Sequence, residues 1–252
     1  MLFYTCANRK YEDFAPLYVA ACLHHNQGAR CEVGLEDEQA FRAAHADAIT
    51  VLETHFPNRF MLHTVNFPKR VIPNTVRFIT TPLWKAEFVY IGDIDILILE
   101  KNLALIHARQ MERTGRDFCN SVRPGTKRLS GLHFTRYDAY YPLDGIEAFN
   151  LSDLDEHVLY RMCLTRRGFD TDDAPWFRPT HGIHMSPNRE PFGSVVNGKR
   201  RPGWGIAPWT QHYIEFASTP LMQALRPQLS SRLLRSLDLI DSACGQRSPD
   251  PV

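Results

Sequence analysis

The sequence has no CxxC pair, no internal repeat, no low-complexity block and no apolar run long enough to span a bilayer. Its six cysteines, Cys6, Cys22, Cys31, Cys119, Cys163 and Cys244, are scattered. That spacing excludes a zinc ribbon and a dense disulfide framework and predicts reduced, packed thiols. The most apolar stretch, Phe88 to Leu99, is too short for a transmembrane helix and holds two aspartates. An excess of either charge is also missing, since 29 basic residues against 28 acidic ones leave a net charge of +1. No overall field favours nucleic acid or an anionic membrane, so any anion binding must be local.

What remains is a globular composition: 252 residues, 44% hydrophobic and 23% charged. A chain of this size buries roughly three quarters of its unfolded surface. Its first ten residues run apolar before basic, the reverse of a secretory leader, and predict a first strand over 2–6. Phe14, Leu17, Tyr18, Ala21 and Cys22 recur with a helical period, Cys31 to Leu35 reads as a second strand, and an alanine-rich helix follows over 38–54. This βαβα order assigns the chain to the α/β class. Arg77, Phe78, Pro82, Leu83 and Trp84 read as part of a proline-broken helix within 70–88, ahead of an apolar strand over 88–92. Further helices are predicted over 153–167 and 219–242, with a proline- and glycine-rich segment over 174–210 lying across a site. Trp204 and Trp209 in that segment read either as sugar-stacking groups or as buried loop anchors, and His24-His25 as a pair on a helix surface.

Asp93 and Asp95 stand two residues apart at the end of an apolar strand, where period-two geometry points both side chains the same way. In open α/β sheets ligands bind beyond the carboxyl ends of the strands. Two carboxylates this close repel unless a cation lies between them, and oxygen ligands of this kind suit Mg²⁺ or Mn²⁺ carrying a phosphate. The competing reading is a pair of acids capping a strand-to-helix turn.

The pattern from Tyr90 to Leu99 resembles the DxD motif of nucleotide-sugar glycosyltransferases of the GT-A fold. The likeness is greatest to family eight, the group of glycogenin-like enzymes and bacterial lipooligosaccharide galactosyltransferases. Four other segments fall in that family's order. Asn8 and Tyr11 resemble the pair that holds the uridine, by hydrogen bonds and by stacking. Arg77 resembles a basic residue on the helix before the DxD strand, near the acids and the donor sugar. Lys127 to Phe134 resembles the strand that lines the donor sugar, where Gly131 lets backbone approach the ring and Leu129 replaces the usual Asn. Asp153 to Leu159 resembles a helix-opening segment in which Asp155 touches the transferred sugar. Glu156 stands where the family has Gln or Asn, near the anomeric carbon, and either stabilises an oxocarbenium-like transition state or acts as a nucleophile. Without the family, Tyr11 reads as a core aromatic, Arg77 as solvated surface, Gly131 as an edge-strand bulge, and 155–156 as an acidic first helical turn.

Thr180 to Ser186 resembles the family's late histidine strand, whose His completes the metal site and whose Lys reaches the diphosphate. Alternation puts His181 with the apolar Ile183 and Met185 and leaves His184 facing the site, so His184 ranks ahead of His181 as a ligand. Two carboxylates with an imidazole tilt the choice from Mg²⁺ toward Mn²⁺. No Lys follows at the family's offset, and either Arg189 or the run Lys199-Arg200-Arg201 must supply the positive charge for the diphosphate.

The resemblance implies a GT-A-like α/β fold, a Rossmann-related mixed sheet flanked by helices. A single compact domain is expected over 1–244, with a nucleotide-binding half over 1–114, a loop-rich acceptor half over 115–244 within one continuous sheet, and a disordered tail over 245–252. It further implies metal-dependent transfer of a hexose from a UDP-sugar to a hydroxyl of a glycan or glycolipid, with retention. Mn²⁺ or Mg²⁺ would sit on Asp93, Asp95 and His184 or His181, with Asp155 and Glu156 catalytic. Donor contacts would come from Asn8, Tyr11, Arg77, Ile94, Gly131 and Arg189. The expected partners are donor and acceptor, with no nucleic acid, and the expected setting is cytoplasmic polysaccharide biosynthesis with peripheral contact at the inner face of the membrane. Two alternatives stand beside it. One is a GT-A-like domain that binds nucleotide or glycan without turnover. The other is a haloacid-dehalogenase-type phosphohydrolase, whose Asp-x-Asp is usually followed by Thr or Val where this chain has Leu97.

Overall fold

The computed structural model describes residues 1–123, 125–146, 149–167 and 181–245. Strand β1 (Leu2–Ala7) is buried along its whole length, as a central parallel strand must be. Helix α1 (Ala15–His25) follows, then β2 (Arg30–Leu35), α2 (Glu38–Ala44), α3 (Ala46–His55) and β3 (Phe60–Thr64). A short helix α4 (Val76–Ile79) precedes β4 (Phe88–Ile91), β5 (Ile96–Ile98) and α5 (Leu103–Thr114). The chain continues through β6 (Phe118–Cys119), β7 (Val122–Arg123), β8 (Arg128–Leu129), β9 (His133–Arg136), α6 (Tyr137–Tyr140) and α7 (Asp155–Arg167). It closes with β10 (Gly182–His184), β11 (Ser194–Val196), β12 (Lys199–Arg201), α8 (Thr210–Ala217), α9 (Pro220–Leu225) and α10 (Ser231–Gly245).

The six-stranded sheet runs β3-β2-β1-β4-β9-β6. β1, β2, β3 and β4 are parallel, while β9 is antiparallel to both β4 and β6, so the sheet is mixed and the class is α/β as expected. β1 alternates between two cores. Phe3 and Ala7 join the layer with α1, α3, α5 and the closing helices, and Leu2, Tyr4 and Cys6 join the layer with α4, α6 and α7. Leu233, Leu237, Ile240 and Cys244 form the buried stripe of α10 at a helical period, each large side chain contributing about 1.5–3 kcal/mol. All six cysteines are buried, and none forms a disulfide among the described residues.

The chain winds from β1 outward through β2 and β3, then returns to place β4 on the other side of β1. The order therefore reverses between β1 and β4, and at such a switch point a crevice opens beyond the strand ends.

Several expected elements differ. The acceptor half joins the main sheet in part: β6 and β9 belong to it, whereas among the described residues β10 pairs with β5, β11 with β12 and β7 with β8 in separate two-stranded sheets. The expected helix over 38–54 is broken at His45, whose backbone leaves the helical region and whose ring packs on Phe41 at 4.4 Å. Most of 70–88 is not helical. Pro73 opens a single short turn, and beyond α4 the buried Glu32 carboxylate accepts the Leu83 and Trp84 N–H groups at 2.7 and 3.0 Å, holding a bend in place of helix. The expected helix over 219–242 is two helices. Thr219 caps α9 through the Met222 N–H, and Pro227, which has no N–H to donate, separates it from α10. His24 is exposed, but His25 is buried, its ring 5.2 Å from that of Phe216. Part of the 174–210 segment and the tail beyond residue 245 lie outside the described residues.

Candidate active site

Asp93 and Asp95 do not stand on a strand. β4 ends at Ile91 and β5 begins at Ile96, and between them the chain makes a tight turn in which Ile96 N–H reaches the Asp93 carbonyl at 3.4 Å. The turn is fastened to β1, since Thr5 Oγ1 donates to the Gly92 carbonyl at 2.8 Å. Both acids nevertheless face one cleft, at the switch point between β1 and β4.

His184 arrives from the other end of the chain by strand pairing. In the antiparallel β10-β5 ladder it lies opposite Ile96, and Met185 N–H donates to the Asp95 carbonyl at 2.8 Å. Gly182 permits this approach: its φ is +156°, and a Cβ there would run into the Leu97 carbonyl oxygen. The imidazole Nε2 lies 3.2 Å from Asp95 Oδ1. Ligand atoms of Asp93, Asp95 and His184 all fall within 4.8 Å of one another.

His181 is not part of this cluster. It is buried, its Nδ1 is 2.9 Å from the Tyr90 hydroxyl, and its Nε2 is 3.0 Å from Nε2 of His107 on α5. Burial pushes the His107 imidazole down to about 3, so that ring is neutral at ordinary pH. His181 thus ties the strand that carries His184 to the core.

Arg77 is the buried centre of the opposite wall. Its Nη2 lies 2.8 Å from Asp93 Oδ1 and 3.1 Å from Asp155 Oδ2, and donates to the Gly131 carbonyl at 3.3 Å. Burial alone would lower its pKa, but Asp93, Asp155 and Asp95 outweigh burial and hold the guanidinium charged. Burial pushes the Asp93 carboxyl up against the pull of Arg77, and Asp95 adds to the rise. The sequence reading of Arg77 as solvated surface therefore fails. Gly131 lies in a bend between β8 and β9, outside both strands, and a Cβ there would sit 3.0 Å from Arg77 Nη2 and 3.3 Å from Asp93 Oδ2. Glu156, in the first turn of α7, lies 3.5 Å from Arg128 Nε.

The remaining expected residues line the same cleft. Asn8, Tyr11, Ile94 and Arg189 join Arg77, Asp93, Asp95, Gly131, Asp155, Glu156 and His184 around it. The cleft has a cavity volume of about 220 Å³ and opens to solvent at its mouth. Asn8 Oδ1 is buried with no hydrogen-bond partner among the described residues. The Tyr11 hydroxyl accepts from Asn188 Nδ2 at 3.3 Å, and Arg189 Nη1 lies 3.5 Å from His184 Nδ1. Four carboxylates and two guanidiniums line the wall, a balance that leaves room for a divalent cation.

Lys199, Arg200 and Arg201 do not line it; they form the exposed strand β12. Trp204 and Trp209 are buried, and Trp204 Nε1 donates to the Ser186 and Arg189 carbonyls at 3.1 and 3.2 Å, so both are loop anchors. Sequence reasoning missed Asn74, Asn188 and Arg128. Asn74 is close to Arg77 in the chain and Asn188 to Arg189, and that adjacency was the available signal.

No known family profile matches the sequence, and no curated protein matches it. Solved structures do. The galactosyltransferase LgtC in complex with donor and acceptor sugar analogs aligns with a TM-score of 0.52 at 14% identity, over 91% of this chain and 100% of that one. An active-site mutant of LgtC aligns with a TM-score of 0.55 at 13% identity, over 87% of this chain and 98% of that one. The apo-form glycosyltransferase GlyE of Streptococcus pneumoniae TIGR4 aligns with a TM-score of 0.54 at 9% identity, over 92% of this chain and 64% of that one. The chain has the GT-A-like fold that its motifs imply.

Proposed function

We propose that this chain, built on the fold of those glycosyltransferases, is itself a metal-dependent transferase that moves a hexose from a UDP-sugar to a hydroxyl of a glycan or lipid-linked glycan, with retention. The observation that carries the reading is the meeting of Asp93, Asp95 and His184, whose ligand atoms lie within 4.8 Å of one another at the switch-point cleft. Two carboxylate oxygens and an imidazole nitrogen fit Mn²⁺, and the carboxylates alone fit Mg²⁺. When bound there, a divalent ion supplies positive charge beside a departing diphosphate.

The chain's own groups divide the remaining tasks. The unpartnered Asn8 Oδ1 is a buried acceptor for a base N–H, and Tyr11 offers its ring beside it. Arg189, on the cleft wall, is a bidentate donor to phosphate oxygens. Arg77 fixes the Asp93 and Asp155 carboxylates with one guanidinium nitrogen, so the first metal ligand and the first turn of α7 are positioned together. Gly131 leaves the backbone bare where the sugar passes. Asp155 and Glu156 present negative charge to the anomeric carbon as positive charge develops there. The acceptor oxygen then bonds to that carbon, the bond to the β-phosphate oxygen breaks with its electron pair leaving on UDP, and the hydroxyl proton passes to the departing phosphate.

A thermal-shift panel of UDP-, GDP- and TDP-sugars with and without Mn²⁺ tests this. A UDP-sugar at a hundred times its Kd stabilises by about 2.7 kcal/mol, raising Tm by roughly 5–10 °C. The expected rise occurs only with UDP compounds plus Mn²⁺. Slow Mn²⁺-dependent hydrolysis of the UDP-sugar separates a transferase from a domain that only binds. Stabilisation by any nucleotide without metal would overturn the reading.

A further inference from the structure

One surface is left unexplained by the cleft. β11 and β12 form an isolated ribbon, with Val195 opposite Arg200 and Val196 opposite Lys199. An isolated two-stranded ribbon is marginal in water without help, and here two features supply it. Asn197 and Gly198 both adopt positive φ, +51° and +73°, as a two-residue hairpin loop requires. At the base, Gly193 and Gly203 pack so closely that a Cβ on Gly203 would lie 2.6 Å from Gly193 N, and Trp204 N–H donates to the Pro191 carbonyl at 2.9 Å. The ribbon is a built projection, and what it projects is unusual. Val195 is 68% and Phe192 67% exposed, while Lys199, Arg200 and Arg201 are all exposed, and no ion pair involves any of them among the described residues.

We propose that this hairpin docks on an anionic lipid bilayer. Val195 and Arg200 share the outer face of the ribbon, while Val196 and Lys199 share the face that borders the groove, so each exposed valine leaves the ribbon beside a cation and the outer face and tip carry both apolar and positive groups. That is the arrangement of an interfacial membrane element, in which apolar groups enter the headgroup boundary while Lys and Arg stems snorkel to the lipid phosphates. A soluble phosphate compound would engage the cations but leave Phe192 and Val195 with no partner. The chain's net charge of +1 gives no general attraction to anionic surfaces, so the affinity is local to Lys199 beside the hairpin loop and Arg200 beside Val195. The hairpin stands beside the cleft: Asn188 and Arg189 line both the cleft and the groove beneath the ribbon. On the transferase reading, docking therefore turns the cleft mouth toward lipid-linked acceptors; the docking itself rests on the hairpin alone.

The test is co-flotation of the full chain with vesicles of phosphatidylcholine alone and of phosphatidylcholine mixed with phosphatidylglycerol, without metal or sugar-nucleotide. Recovery with the anionic vesicles is expected to exceed that with neutral ones by about tenfold or more, and to fall as salt rises. The double variant Lys199→Gln/Arg200→Gln should fall to the neutral-vesicle level, and Phe192→Ser/Val195→Ser should also lose binding, both with unchanged Tm because the side chains are exposed. Equal recovery on both vesicle types, insensitivity to salt, or binding undiminished in both variants would overturn the proposal. So would equal retention of the chain by immobilised glycerol phosphate lacking any lipid. None of these readouts uses the cleft, so their failure leaves the transferase reading standing.

Discussion

His184 Nε2 lies 3.2 Å from Asp95 Oδ1. The contact is delivered by strand register, since His184 pairs with Ile96, the residue directly after Asp95. A loop could bring an imidazole to the same place only by ordering itself when the ligand binds. Here the backbone ladder holds it in advance, and the side chains of the cluster can be changed without undoing the ladder.

The two histidines of β10 and its approach should therefore respond in opposite ways. His184→Ala removes a partly exposed side chain, and the stability of the free protein should change by no more than about 0.5 kcal/mol. The Mn²⁺-dependent rise with UDP should vanish. His181→Ala removes the hydrogen bonds to Tyr90 and His107 and opens a buried cavity, destabilising by about 2–4 kcal/mol. Denaturant titration and thermal shift on both variants check this, and the reverse pattern would contradict the site.

Gly131→Ala probes the opposite wall. The added Cβ meets Arg77 Nη2 at 3.0 Å and Asp93 Oδ2 at 3.3 Å, and neither group can give way without loosening the other. Stability should fall by about 1–3 kcal/mol, and UDP-sugar turnover should fall further than UDP binding. An alanine variant with wild-type turnover would show that the backbone gap has no role.

Arg77→Met leaves two acids facing each other without their shared cation. Breaking a buried pair by removing one partner costs about 3–5 kcal/mol, which for a chain of this size is a Tm drop of roughly 10 °C. Part of that loss should return on adding Mn²⁺, which replaces positive charge beside Asp93. Calorimetry with and without the ion measures both terms.

Acid should weaken the fold before the carboxylates titrate. Burial pushes His25, His107 and His133 down to about 3 in the folded chain, against about 6.5 when unfolded. Their folded pKa values are depressed, so the unfolded state binds more protons below 6.5. Stability is full above that value and is lost as pH falls toward 3, at about 1.4 kcal/mol per pH unit for each proton. Tm measured from pH 7.5 down to 5 should decline throughout the lower part of that range. A flat profile would mean that these rings are solvated.

Much of this was readable in the chain itself, because the strongest signals were local. The apolar run of β1 and the period of α1 follow from side-chain alternation and spacing alone. Asp93 and Asp95 stood out because charge inside an apolar run demands a partner. What was not legible depended on contacts between distant segments. Glu32 reaches across to Leu83 and Trp84, and nothing near residue 83 announces that a buried carboxylate will claim its N–H. Arg77 looked like surface because its partners, Asp93, Gly131 and Asp155, come from three other segments. Alternation did separate His184 from His181, since that distinction needs only the period of a strand. It also read both aspartates as the end of the apolar strand, and there the tight turn between β4 and β5 departs from the pattern.

Isothermal titration of UDP into the chain, with Mn²⁺ present and with all divalent ions chelated, decides whether a metal ion on Asp93, Asp95 and His184 holds the diphosphate. Tight binding is expected only with Mn²⁺, weakened about tenfold or more in Asp95→Asn, with the fold of that variant intact by circular dichroism. UDP binding of equal strength without metal, or unchanged by that substitution, would contradict it.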